Sequence, residues 1–466
     1  MSARHINGYM VDAPRSERYY WWLKLFLITA AFFCVIGSYT VAKELKTSVF
    51  AYMVGRKYIP LARILTWLVL VPAIFVYARL VDRLHRYQLL CLYSVLYAVV
   101  GLVVAYLLGD AISGVSSVNS GPYHIFGWLF YFFVEGYSPF LVGVFWAFAN
   151  SISSPEEAQR NYGFMVCGSK IGGVLTAGLA MFFLQLRNAD GQHLYSDVLN
   201  HQILLASSSL LLLVVPLVIF CLRRVVPFKY LHGYEAAYQL EKHNQQTGQS
   251  QTGVFSGIMM FIKYPYVMGI FGITFCYEVV STVLSYLTVE VAQETSSSMS
   301  ETLHYLLNVI FWTHLSGFFI SLFGTTILFN VLGTRRCLML IPISAGILLL
   351  YFMMNINNAN ALLFAFVTLR SIYYAFTFPL RESLYIPTVK TIKFKSKSWI
   401  DAFGSKLGKS TGGGVAIVAD LVGPAFFYSV YAFSFTGIVG LWLVVAWLLG
   451  RRFEQAVAKS EVIGSE

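Results

Sequence analysis

Two lysines in the run Gly404-Ser405-Lys406-Leu407-Gly408-Lys409-Ser410-Thr411-Gly412-Gly413-Gly414 stand where a long apolar segment begins. A charge at the centre of a bilayer-spanning helix costs roughly 2.5–3.5 kcal/mol on insertion scales, so lysines kept there usually face a protein interior or a watery cavity. In such a cavity ammonium groups bind anions. Phosphate suits them well, because its concentrated charge needs cationic donors and these act more strongly away from bulk water.

Other charges interrupt apolar runs in the same way: Lys46, Glu135, Lys170, Glu278, Arg370, Arg381 and Glu382. The cations are candidates to bind an anion; Glu135 and Glu278 are candidates to hold the lysines in place or to carry a proton, since burial favours a neutral carboxyl. The competing reading is that some of these groups only snorkel to a headgroup or pair with Glu135, Glu278 or Glu382. His314 reads as a packed histidine. Tyr373-Tyr374 offers rings on which a base could stack, and Lys393, Lys395 and Lys397 read as a solvated, lipid-facing turn.

The lysine motif has an echo. Gly168-Ser169-Lys170-Ile171-Gly172 repeats Gly404-Ser405-Lys406-Leu407-Gly408 at an offset of 236 residues, about half the chain. Each copy carries a small-xxx-small pair that lets two membrane helices approach closely. The chain reads as built twice. Gly408-Lys409-Ser410 resembles the end of a phosphate-binding loop, but Phe403 stands where that loop needs its first glycine, and no strand precedes it.

These residues need a scaffold, and composition supplies its class. With 57% hydrophobic residues, 12% charged residues and a mean hydropathy of +0.66 over 466 residues, the chain is too apolar for a soluble domain. Segments of about 20 apolar residues recur about twelve times, which predicts an all-α integral membrane protein. The six cysteines are scattered without pairing or metal spacing, and no cofactor or metal is expected. The net charge of +11 gathers at span ends, so it reflects membrane topology and not nucleic acid.

Along the chain, residues 1–20 form a polar tail and 21–224 a first group of six spans. Residues 225–255 form a polar linker, 256–452 a second group of six, and 453–466 a second tail. Lysine and arginine favour the even-numbered turns, as in Arg223-Arg224, Arg335-Arg336 and Arg451-Arg452. By the positive-inside rule both termini are therefore cytoplasmic.

Several segments resemble the nucleotide transporter family, the ATP/ADP translocases of intracellular bacteria and plastids. They are Leu45-Lys46-Thr47, Phe145-Trp146-Ala147-Phe148-Ala149-Asn150 before Glu156-Glu157-Ala158, and Arg381-Glu382 with Tyr385-Ile386-Pro387. Ile400-Asp401, Gly404 and Leu407-Gly408-Lys409-Ser410 complete the set. The resemblance implies a major-facilitator-like fold of two pseudo-symmetric six-helix bundles, acting as a monomer in a bacterial inner membrane. It implies that the chain moves nucleotides by alternating access, as exchange or proton-coupled import. The family's functional charges map onto Lys46, Glu135, Glu278 and Lys409; Asn150 and Arg370 join them as substrate-binding candidates, followed by Lys170, Arg381, Glu382 and Lys406. Thr47, Arg381 and Thr388-Val389-Lys390 depart from the family pattern toward a more basic site. That leaves room for ATP/ADP, NAD, another nucleotide or a non-nucleotide phosphorylated metabolite. A membrane-embedded enzyme is a rival reading, but no nucleophile, base or metal cluster lies near the buried charges in sequence. A non-transporting receptor is the other rival.

Overall fold

The computed structural model describes residues 15–112, 114–115, 120–153, 155–188, 193–227, 230–231, 263–385, 387–388, 392, 400, 404–459 and 461–464. Most of the expected linker 225–255, the lysines at 393, 395 and 397, Asp401, and the side chains of Glu156, Glu157 and Glu382 lie outside the described set. Nearly everything described is helix. In chain order the helices are α1 Arg15–Phe50, α2 Ile59–Arg83, α3 Arg86–Leu107, α4 Ile125–Glu135, α5 Gly143–Ser151, α6 Pro155–Leu184 and α7 Asp197–Val225. They continue as α8 Pro265–Thr295, α9 Met299–Phe319, α10 Thr325–Met354, α11 Ala359–Ile372, α12 Phe378–Leu384, α13 Ser405–Val422 and α14 Pro424–Ala458.

Nine stretches among the described residues are long and apolar enough to cross a membrane, and Ala359–Ile372 is a shorter apolar helix. The first of the nine, Glu17–Leu70, takes in both the first expected span and much of the second. Gly55 separates them: its φ of 113° lies in the region that favours glycine, and it ends the π turn Ala51–Gly55. Pro60, at the start of α2, then restarts the helix where a missing N–H costs nothing. α14 continues to Ala458, and Ile463 beyond it is buried, its N–H donating to Pro387 O at 2.7 Å. The segment expected as a tail from 453 is thus helix as far as Ala458 and docked at Ile463.

Apolar side chains such as Phe26, Leu68, Leu179, Phe220, Leu350 and Phe433 point outward, while Lys24, Glu44, Lys46 and Lys170 are buried. In water that distribution would be unfavourable. In lipid it places the costly groups where protein partners can satisfy them.

The glycine echo does the same packing work twice. A Cβ at Gly172 would lie 2.6 Å from Phe33 O of α1, and one at Gly168 would collide with Thr29. In the second copy, a Cβ at Gly408 would lie 2.9 Å from Phe275 O of α8, and one at Gly404 would lie 2.9 Å from Phe271. Each motif therefore seats its helix, α6 or α13, on the first long helix of its own half. Lys170 and Lys406 are carried to matching positions.

Candidate functional site

Between the two halves lies a cavity of about 440 Å³ whose lining joins α1, α2, α4, α6, α8, α9, α11 and α13. It contains seven basic side chains, Lys43, Lys46, Arg63, Lys170, Arg370, Lys406 and Lys409, and three acidic ones, Glu44, Glu135 and Glu278. The excess is four positive charges.

Glu135 is the last residue of α4, just before the π turn Ser138–Val142. There its carboxylate accepts from Lys46 Nζ at 2.5 Å and sits 3.6 Å from Lys406 Nζ. One acid from the first half thus holds a lysine of its own half and a lysine of the other. Lys46 Nζ also lies 4.2 Å from the centroid of the Tyr131 ring, a cation–π contact that steadies it on its other side. Glu278, on α8, accepts from Ser405 Oγ at 2.7 Å, which ties the start of α13 to α8. Lys43 Nζ pairs with the adjacent Glu44 at 3.0 Å. Arg63 spends its guanidinium on Thr282 O at 2.9 Å and Ser285 Oγ at 3.0 Å, across the halves.

Lys170 and Arg370 differ from these. Lys170 is 8% exposed and Arg370 9%, and neither forms an ion pair with a carboxylate of the described residues. Instead both lie against aromatic faces: Lys170 Nζ is 5.1 Å from the Tyr374 centroid, and Arg370 Cζ is 5.0 Å from that of Phe366 and 6.0 Å from that of Tyr374. His314, expected as a packed histidine, also lines the chamber beside them, with Nε2 3.1 Å from Thr40 Oγ1.

Seven of the ten residues expected from sequence therefore line one chamber: Lys46, Glu135, Lys170, Glu278, Arg370, Lys406 and Lys409. Asn150 does not. It is exposed on α5 and accepts a hydrogen bond from Tyr162 Oη, because its helix turns that face away from the chamber. Arg381 is buried inside the second half, where Nη1 donates to Thr274 Oγ1 at 3.2 Å; it is a packing residue of α8 and α12 and not part of the lining. Glu382 lies outside the described side chains. Sequence reasoning passed over Lys43, Glu44 and Arg63 as site residues. Lys43 and Glu44 sit one turn from Lys46, which is a readable signal; Arg63, four residues into α2, looks like an ordinary span-end charge.

A helical multi-pass chain with a charged chamber between two similarly packed halves has the architecture of the major-facilitator transporters, and solved structures bear this out. The D-xylose–proton symporter superposes with a TM-score of 0.62 at 13% identity, covering 92% of this chain and 97% of that one. The nucleoside transporter NupG superposes at 0.51 with 12% identity, covering 93% and 98%. At these identities the likeness concerns the fold.

Sequence goes further. The model of the TLC ATP/ADP transporter family matches residues 123–453, and the chain belongs to that family. It is therefore a membrane transporter of a nucleotide-carrying family and not an enzyme. It is also similar to ADP,ATP carrier protein 1 of Chlamydia trachomatis, with 22% identity over 491 aligned positions that cover 94% of this chain and 90% of the relative.

Proposed function

We propose that the chain exchanges nucleoside diphosphates and triphosphates across a bacterial inner membrane, both termini cytoplasmic, by alternating access about the chamber. The observation that carries this reading is the excess of four cations in the lining. A nucleoside diphosphate or triphosphate carries roughly three to four negative charges at neutral pH, which such a site neutralises. A dinucleotide such as NAD carries fewer and would leave cations uncompensated in a partly dehydrated space.

Family membership and the similarity to an ADP,ATP carrier support the nucleotide over other phosphorylated metabolites. Exchange is favoured over proton coupling by Glu135, whose two ammonium neighbours make it a counter-ion for lysines that substrate would claim. Lys46, Lys406, Lys409, Glu135 and Glu278 form the substrate-responsive part of the site. The two halves, 21–224 and 256–452, rock about it, and one chain holds the whole chamber, which supports a monomer as the working unit.

Purified protein in liposomes tests the reading. Labelled ATP should enter vesicles loaded with ADP at a saturable rate at least about tenfold above empty vesicles, and Lys46→Ala or Lys409→Ala should abolish that entry. Equal uptake into loaded and empty vesicles would remove exchange. Normal uptake by both variants would remove these lysines from the site.

A further inference from the structure

Lys406 is the counterpart of Lys170, and the same repeat relates another pair of positions that sequence identity hides. The π turns Ser138–Val142 and Tyr373–Thr377 recur at an offset of 235 residues, and each is preceded three residues earlier by a charged side chain. In the first half that residue is Glu135; in the second it is Arg370. The pseudo-two-fold therefore maps the cross-half pair of Glu135 with Lys406 onto Arg370 with Lys170. The first pair is acid and base. The second is two cations, one from each half, converging on Tyr374, with Arg370 Cζ at 6.0 Å and Lys170 Nζ at 5.1 Å from its ring centroid.

Two cations from opposite halves, each about nine-tenths buried and neither in an ion pair with a carboxylate of the described residues, are an unfavourable arrangement that an anion between them relieves. The aromatic faces of Phe366 and Tyr374 hold them in place but do not neutralise them. The lysines of the sequence motifs are better provided, since Lys46 and Lys406 share Glu135.

We propose that Lys170 and Arg370 are the phosphate clamp of the chamber: a phosphate of the polyphosphate chain lies between them, supplies the negative charge that Glu135 supplies in the matching pair, and thereby bridges the halves. The guanidinium offers paired donors to phosphate oxygens, and the ammonium a point charge opposite them. The clamp rests on the nucleotide-exchange reading for its natural ligand, but its chemistry requires only a polyphosphate.

Thermal unfolding in detergent, with ATP, inorganic triphosphate and adenosine as separate probes, distinguishes the two. Wild-type protein should be stabilised by ATP and by inorganic triphosphate. Lys170→Gln and Arg370→Gln should each weaken both effects, with at least about a tenfold rise in the half-maximal concentration, while Lys170→Arg restores them. Arg370→Glu should supply Lys170 with the missing acid, raising the melting temperature without ligand and abolishing the response to triphosphate; this variant stays informative even if a neutral one folds poorly. Variants that respond to triphosphate like the wild type would overturn the clamp while leaving nucleotide exchange standing. Stabilisation of wild type by inorganic triphosphate but not by ATP, lost in the variants, would support the clamp and reject the nucleotide. No response of the wild type to either polyphosphate would overturn both.

Discussion

At Glu135 a single carboxylate serves two ammonium groups from different halves, Lys46 at 2.5 Å and Lys406 at 3.6 Å. With the chamber empty, that carboxylate keeps the two lysines from facing each other uncompensated as the halves close. Removing one partner of a buried ionic set is costly, about 3–5 kcal/mol when the group is fully buried, and less here because the Glu135 side chain retains 20% of its exposure. Glu135→Gln should therefore leave ATP/ADP exchange running, since substrate phosphates replace the lost charge, but lower uptake into empty liposomes at least about tenfold. Uptake measured from pH 5.5 to 8 separates this from proton carriage. The same pH profile in the variant as in the wild type fits a counter-ion, whereas a pH dependence of the wild type that is lost in the variant with exchange intact would make Glu135 the proton site.

Helix packing explains why the glycines around these charges resist substitution. A Cβ at Gly408 would sit 2.7 Å from Glu278 Cβ and 2.9 Å from Phe275 O, so Gly408→Val must push α13 off α8 and displace the acid. Overpacking of this kind costs about 1–3 kcal/mol, and the same holds for Gly172→Val against Phe33 O. Gly414 has nothing within 4 Å of its Cβ position, and Gly414→Ala should be neutral or slightly stabilising through helix propensity. Melting temperatures of the three variants check the contrast; equal values would mean that the motif does not set the helix spacing. These glycines were legible in the sequence because small residues repeated at helical spacing have one main use in a membrane. The lysines beside them were legible because a charge in an apolar run must face inward. Asn150 lies away from the chamber because a motif match fixes a residue's neighbours in sequence but not the face its helix turns to the chamber. The kinship of Glu135 and Arg370 was hidden for a different reason: a repeat conserved in backbone shape, through two π turns, carries opposite charges at its matching positions. Pattern matching by residue type cannot find such a pair.

The whole molecule is held at one end by bonds that cross between halves. Asp197, the first residue of α7, accepts from the backbone N–H groups of Met299 at 3.0 Å and Ser300 at 3.3 Å, the opening turn of α9 in the other half. Close by, Asn200 Nδ2 donates to Ser300 Oγ at 3.0 Å and Ser48 Oγ to Met299 O at 3.1 Å. Arg56 pairs with Glu290 at 2.7 Å and with Glu294 at 3.3 Å at the same end. Asp197 is the strongest single tie, because a carboxylate at a helix N-terminus satisfies two orphan donors and faces the positive end of the helix dipole. Arg56 is more exposed and contributes less. Charge-assisted bonds of this type are worth about 1.5–3 kcal/mol, so losing them shifts a two-state equilibrium by roughly tenfold to a hundredfold. Asp197→Ala should therefore favour separation of the halves at this end. Thr288 lines the chamber and is buried, so a Thr288→Cys thiol reports that opening to an impermeant maleimide added on the face carrying the α1–α2 and α8–α9 connections. With the chain lacking this thiol as background, labelling should quicken at least about tenfold when Asp197→Ala is added, and ATP should slow it again by drawing the halves together. An unchanged labelling rate would show that the contact between α7 and α9 does not hold this end closed.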